Sequence, residues 1–234
     1  QWFVPKGPAH PITSKPAHTL RTEAPKPGVD PAVTFNVNNS LNFTSGIFSG
    51  EVAEPGAAEP SGASDGAGVV FATANWVAGY STNSGGSFTQ LDPTTIFPND
   101  VVGYCCDQIV EYSPSIGMFI WLLQGNGYRL AVATPAMIKS SGGTFWYYWD
   151  FPPSFFGESG FDYPDLSIGP NDLYLSWDAG LGCKCSNWGH QVVRMSLKQI
   201  KALGSLDVGW THPTDGQDAW GAKLVQDTHG TIYW

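Results

Sequence analysis

Carboxylates, aromatic rings and cysteines recur in this sequence at short spacings that suit chemistry on a loop surface. Asp162-Tyr163-Pro164-Asp165 sets two carboxyl groups around a tyrosine, and Cys105-Cys106-Asp107-Gln108 sets a third beside two thiols. Carboxyl groups held at different protonation states can act as general acid and base in glycoside cleavage, and the same oxygens can ligate Ca²⁺. Asp107, Asp162 and Asp165 are therefore the candidate acids and bases, with Tyr163 and His190 as further proton carriers. Tyr163 or His190 acting alone as base would suit a polysaccharide lyase instead. Tyr104, Gln108, Tyr128, Arg129, Asp178 and Trp188 are the candidates for holding a sugar by stacking and hydrogen bonding. No cofactor is required for this chemistry, and Ca²⁺ is the ion the carboxylates suit. The competing reading is structural: Asp162 and Asp165 cap turns, and Tyr163 packs between sheets.

The cysteines occur as Cys105-Cys106 and Cys183-Lys184-Cys185. Adjacent cysteines can bond to each other or each can reach a partner in the other pair, and four cysteines allow three pairings. Their spacing lacks the Cys-x₂-Cys step of a tetrahedral zinc site, so a metal centre is not expected. An even cysteine count agrees with an extracellular or periplasmic protein. Asn38-Asn39-Ser40 and Asn42-Phe43-Thr44 match the N-glycosylation acceptor pattern, which has the same implication.

The elements that must position these groups are strands. Only 13% of residues are charged, while Gly (28), Trp (10), Phe (13) and Tyr (9) are abundant, which favours turn-rich β-structure over helices with charged wet faces. Ser84-Gly85-Gly86-Ser87-Phe88 returns about 57 residues later as Ser141-Gly142-Gly143-Thr144-Phe145. Strand pairs follow the same ruler: residues 107–114 with 118–122, 165–170 with 173–177, and 223–226 with 231–234. Third strands are expected over 128–133 and 191–195, and fourth strands over 144–149 and 205–210. Helical turns precede the fourth strands, one capped by Thr134 with Pro135 at its first position, the other capped by Ser196 and ended by Gly204. Four antiparallel strands in a unit of about 57 residues describe a blade of a β-propeller, and the fold class is all-β.

Three regions result. Residues 1–32, with seven prolines, read as a linker or surface strap, 33–67 as a lead-in strand and loop, and 68–234 as blades. The blade region amounts to about three units, fewer than the roughly four to eight that close a ring. The expectation is that the chain belongs to a longer protein whose remainder, or another copy, completes the ring. The 20 acidic and 11 basic residues disfavour nucleic acid as a partner. No apolar run approaches the roughly 20 residues that span a bilayer.

Ser81-Thr82-Asn83-Ser84-Gly85-Gly86-Ser87-Phe88 resembles the Asp-box of sialidase-like (BNR repeat) propellers, Ser-x-Asp-x-Gly-x-Thr-Trp, with Asn83 for the aspartate and Phe88 for the tryptophan. The resemblance implies a secreted propeller whose Asp-box hairpins are structural and whose opposite face carries the site. In a four-stranded meander that face bears the 2–3 and 4–1 connections, where the cysteines and carboxylates fall. Sialidase activity itself is not implied: the family clamps its substrate with three arginines, whereas this chain has Arg21, Arg129 and Arg194 in all, and Arg21 lies in the proline-rich stretch. The sequence therefore reads as an extracellular propeller that binds or cleaves carbohydrate or a glycoconjugate. The alternative is a structural or protein-binding propeller of an extracellular assembly.

Overall fold

The computed structural model describes residues 59–180, 188–211, 221–226 and 231–234, all within one unit of mutually contacting residues. Residues 1–32, Asn38, Asn42, Cys183, Cys185 and the side chain of Trp188 lie outside them. The described chain is mostly β and forms three antiparallel four-stranded sheets, in each of which neighbouring strands follow chain order. The first contains β1 (Ser61–Ser64), β2 (Val70–Ala74), β3 (Val77–Ser81) and β4 (Thr89–Leu91). The second contains β5 (Gln108–Ser113), β6 (Met118–Gly125), β7 (Gly127–Ala133) and β8 (Tyr147–Phe151). The third contains β9 (Gly160–Ile168), β10 (Asp172–Gly180), β11 (Trp188–Ser196) and β12 (Val208–Trp210). Short helices α1 (Pro93–Ile96), α2 (Pro135–Ser141), α3 (Pro153–Phe156) and α4 (Leu197–Ala202) fill the connections.

Packing follows from the period-2 geometry of the middle sheet. In the apolar run of β6, Ile120 and Leu122 join the core shared with the third sheet, beside Leu173, Leu175 and Trp177. Their neighbours Phe119, Trp121 and Leu123 join the core shared with the first sheet, beside Val69, Phe71 and Ala78. Strand β7 divides in the same way, with Leu130 and Val132 on one side and Ala131 and Ala133 on the other. A strand buried on both faces must be apolar throughout, which is why β6 shows no polar alternation. The first strands adjoin one another, β1 against β5 and β5 against β9. Ser61 stitches the first of these contacts: its hydroxyl donates to Val110 O at 3.2 Å and accepts from Val110 N at 3.0 Å.

Several elements depart from the sequence reading. The first sheet begins before residue 68, because the small residues of β1 carry no apolar pattern and become a strand through pairing with β2. The two copies of the Ser-Gly-Gly phrase both lie between the third and fourth strands of their sheets but differ in local structure. Residues 82–88 form a tight connection in which Asn83 Oδ1 accepts from Ser81 Oγ at 2.8 Å and Ser87 N at 2.9 Å. Ser141 instead ends α2, and Gly142 caps it in the left-handed region at φ 67°. Ser196 makes no side-chain cap bond, and Leu203, not Gly204, is the left-handed cap of α4. Residues 223–226 and 231–234 are not assigned as strands, although Val225 N donates to Tyr233 O at 2.9 Å.

Buried tryptophans pair with buried glutamines, and one of these glutamines, Gln108, also links the first and second sheets. Trp121 Nε1 donates to Gln108 Oε1 at 3.0 Å, and Gln108 Nε2 donates across to Ala74 O at 2.7 Å and Val77 O at 3.0 Å. Trp177 Nε1 makes the corresponding bond to Gln191 Oε1 at 2.8 Å. Because Gln108 is buried, Gln108→Leu leaves the Trp121 indole unpartnered and severs the link to the β2–β3 turn. The expected outcome is a loss of about 1–3 kcal/mol, read as a lower urea midpoint at unchanged slope.

Candidate functional site

The groups with chemical potential gather where the first strands begin and the second strands end. The β6–β7 hairpin turns through Gly125-Asn126-Gly127, where Gly127 adopts φ 125° and a Cβ on Gly125 would run into the Val102 carbonyl. This tight turn sets Gln124 and Tyr128 opposite each other as cross-strand partners. The segment before β5 is bonded to the same end: Cys105 N donates to Gln124 O at 2.9 Å, and Gln124 N donates to Asp107 O at 2.9 Å. Cys105 and Cys106 are bonded to each other. Asp107 is thereby held at the end of the sheet.

Asp107 shares a hydrogen bond with Glu59 and lines, with Glu59, Tyr163, Asp165 and Lys223, a groove of about 380 Å³ between β5 and β9. Burial, followed by the charge of Glu59 and Asp162, pushes the Asp107 carboxyl up to about 7, while Lys223 pulls it down. At neutral pH a proton is thus available beside other carboxylates. Asp162, exposed on β9, accepts from Gln124 Nε2 at 3.3 Å and from Tyr163 N at 2.9 Å. Tyr163 sits at an irregularity of the β9–β10 pairing with φ 56°, its ring 4.3 Å from Lys223 Nζ. Lys223 Nζ also donates to Pro164 O at 3.2 Å.

Asp107, Asp162 and Tyr128 are therefore brought into one electrostatic neighbourhood, with Tyr163 lining the groove beside Asp107. Tyr128 is buried, stacked on Trp177 with ring centroids 4.7 Å apart, and its hydroxyl is pushed well above its ordinary pKa by burial, then by Asp162 and Asp107. Asp165 stands differently, accepting from Leu224 N at 2.7 Å and so fastening the 221–226 segment to β9. His190 and Asp178 pair across β10 and β11, with Nδ1 and Oδ1 3.4 Å apart, and Asp178 also accepts from Gly221 N at 3.0 Å. Strand β11 begins at Trp188.

Four of the expected sugar-holding residues are engaged in internal bonds: the buried Asp178, with the partners just given, and three more. Gln108 carries the inter-sheet bonds described above. Tyr104 donates to Cys106 O at 3.0 Å and accepts from Gln108 Nε2 at 2.6 Å. Arg129, 1% exposed, is clamped by Asp150 at 2.7 Å and Asp100 at 2.7 Å and faces the Phe97 and Tyr148 rings. Sequence reasoning missed Glu59, Gln124 and Lys223. Glu59 lies in a stretch of Ala, Gly and Pro with no pattern, and the other two gain meaning only through contacts across the fold. Among the described residues, no group of three or more His, Cys, Asp or Glu side chains is arranged to hold a metal ion, and no helix is long and apolar enough to cross a membrane.

Two outcomes follow from these charges. The folded state binds the Asp107 proton more tightly than the unfolded chain, whose aspartates titrate near 3.8. Its contribution to stability is complete below that value and is lost as pH rises towards about 7. Urea midpoints should therefore carry a component that falls across this window, and Asp107→Asn should remove it. Arg129→Lys cannot span both Asp100 and Asp150, and should cost about 2–4 kcal/mol by the same measurement. No protein-family profile matches the chain, and no curated protein matches it.

Proposed function

We propose that the three sheets are consecutive blades of a β-propeller of the sialidase-like kind, acting outside the cell or in the periplasm on carbohydrate. The adjacency of β1, β5 and β9, with each sheet a four-stranded meander, supports radial repetition. The Ser81–Asn83–Ser87 hydrogen bonds support the reading of residues 81–88 as a turn of the Asp-box kind. The Cys105–Cys106 bond agrees with an oxidising compartment.

One observation carries the catalytic reading: Asp107, with its titration raised to about 7, lines a groove beside Glu59 and near Asp162. That is the division of labour glycoside hydrolysis needs. Asp107 gives its proton to the glycosidic oxygen as the bond to the anomeric carbon breaks. Water adds its hydroxyl to that carbon and passes a proton to the Asp162 carboxylate. A second reading, a protein-binding propeller, is favoured by rings exposed on or next to the outer strand β8: Phe145 (50%), Tyr147 (42%) and Tyr148 (39%).

A glycan panel scored for turnover and for binding tests the proposal. Turnover should fall as pH rises through about 7, where Asp107 loses its proton. Asp107→Asn should lower turnover at least about 100-fold with the fold retained. Absence of both turnover and binding across the panel would sink the carbohydrate reading. Binding without turnover would reduce it to a lectin-like one.

A further inference from the structure

One tryptophan stands where tryptophan is disfavoured. The β2–β3 hairpin turns through Asn75 and Trp76, between the paired residues Ala74 and Val77. Trp76 takes φ 68°, the left-handed region in which a side chain crowds its own backbone and which turns ordinarily give to glycine. It is also 38% exposed, whereas Trp121 and Trp177 are fully buried. Neither turn chemistry nor core packing accounts for a bulky apolar residue in that conformation at the surface. Backbone strain of this kind gathers at sites that hold a ligand.

Backbone bonds fix the place of Trp76 relative to the groove. Trp76 N donates to Cys106 O at 3.4 Å and Cys105 N donates to Gln124 O, so the disulfide-linked pair joins the β2–β3 turn to the end of β6. Gln108 Nε2 holds the carbonyls on either side of the turn, Ala74 O and Val77 O. Asp107 and Gln108, which follow the pair in sequence, line the groove. Trp76 and the exposed Cys105 therefore adjoin the groove through its own wall.

The chemistry of an occupant follows from these surfaces. An indole face attracts C–H groups, and the groove beside it is lined by Glu59, Asp107, Glu111 and Asp165. Lys223, the cation among the lining residues, already faces the Tyr163 ring and donates to Pro164 O. An anionic chain is disfavoured there. A neutral pyranose with equatorial hydroxyls has bare C–H groups on its faces and O–H donors around its rim, which suits an indole beside carboxylates. We propose that Trp76 is the stacking platform for a sugar ring of a neutral glycan whose chain enters the groove. This rests on the reading of the groove as a carbohydrate site.

Calorimetric titration of the full chain with tetramers of β-linked glucose and of galacturonic acid tests it, with urea midpoints measured in parallel. The glucose tetramer should bind more tightly than the uronate, and Trp76→Asn should weaken its binding at least about ten-fold. Asparagine enters the left-handed region more readily than tryptophan, so the urea midpoint should not fall. Trp76→Phe keeps a ring and should retain affinity within about three-fold. Undiminished binding by Trp76→Asn would overturn the platform while leaving the carbohydrate reading intact. A clearly lowered midpoint in that variant would make the indole a packing group and overturn it too. Tighter binding of the uronate would overturn the neutral class of ligand. No binding of either tetramer would overturn both the platform and the carbohydrate reading.

Discussion

Burial of the middle sheet on both faces is the constraint from which the rest of the architecture follows. Strands β6 and β7 send alternate side chains into two separate cores, one shared with the first sheet and one with the third. Neither face is available to water, so each polar group that enters the layer needs an internal partner. Gln108 answers for Trp121, Ala74 and Val77 together. Arg129 answers for Asp100 and Asp150 while its planar face lies against two rings.

The same constraint sends carboxylates to the strand ends. Asp107 and Asp162 lie where the apolar layers stop, near enough to one another and to Glu59 that their charges do not act independently. This end also contains polar atoms that the layer leaves unpartnered, Tyr128 Oη and Gln124 Oε1.

Much of the strand order was legible beforehand because period-2 patterns and turn residues are local. Residues 107–114, 118–122, 128–133 and 191–195 fall on β5, β6, β7 and β11 within a few residues. Strand β1 was not legible, since Ser61–Ser64 holds no large apolar residue and owes its conformation to β2 and β5. Both copies of the Ser-Gly-Gly phrase precede the fourth strand of their sheet, β4 and β8, although the first forms a tight turn after β3 and the second caps α2 at Gly142. The candidate site was half legible. Asp107, Asp162 and Tyr163 stand out by spacing and residue type, whereas Tyr104, Gln108 and Arg129 look equally available in sequence and are engaged internally in the fold.

By itself the sequence determined the class of structure: an aromatic- and glycine-rich, sparsely charged chain can bury its rings only in paired strands joined by tight turns. It also determined which residue types could act, since carboxylates, tyrosines and cysteines are fixed by their chemistry. Only the tertiary structure decided which of them meet. Glu59 reaches Asp107, Gln124 reaches Asp162, and Leu224 claims Asp165, each across a long stretch of chain. Such encounters arise from sheet-on-sheet packing, a cooperative property of many distant side chains, and no local pattern records it.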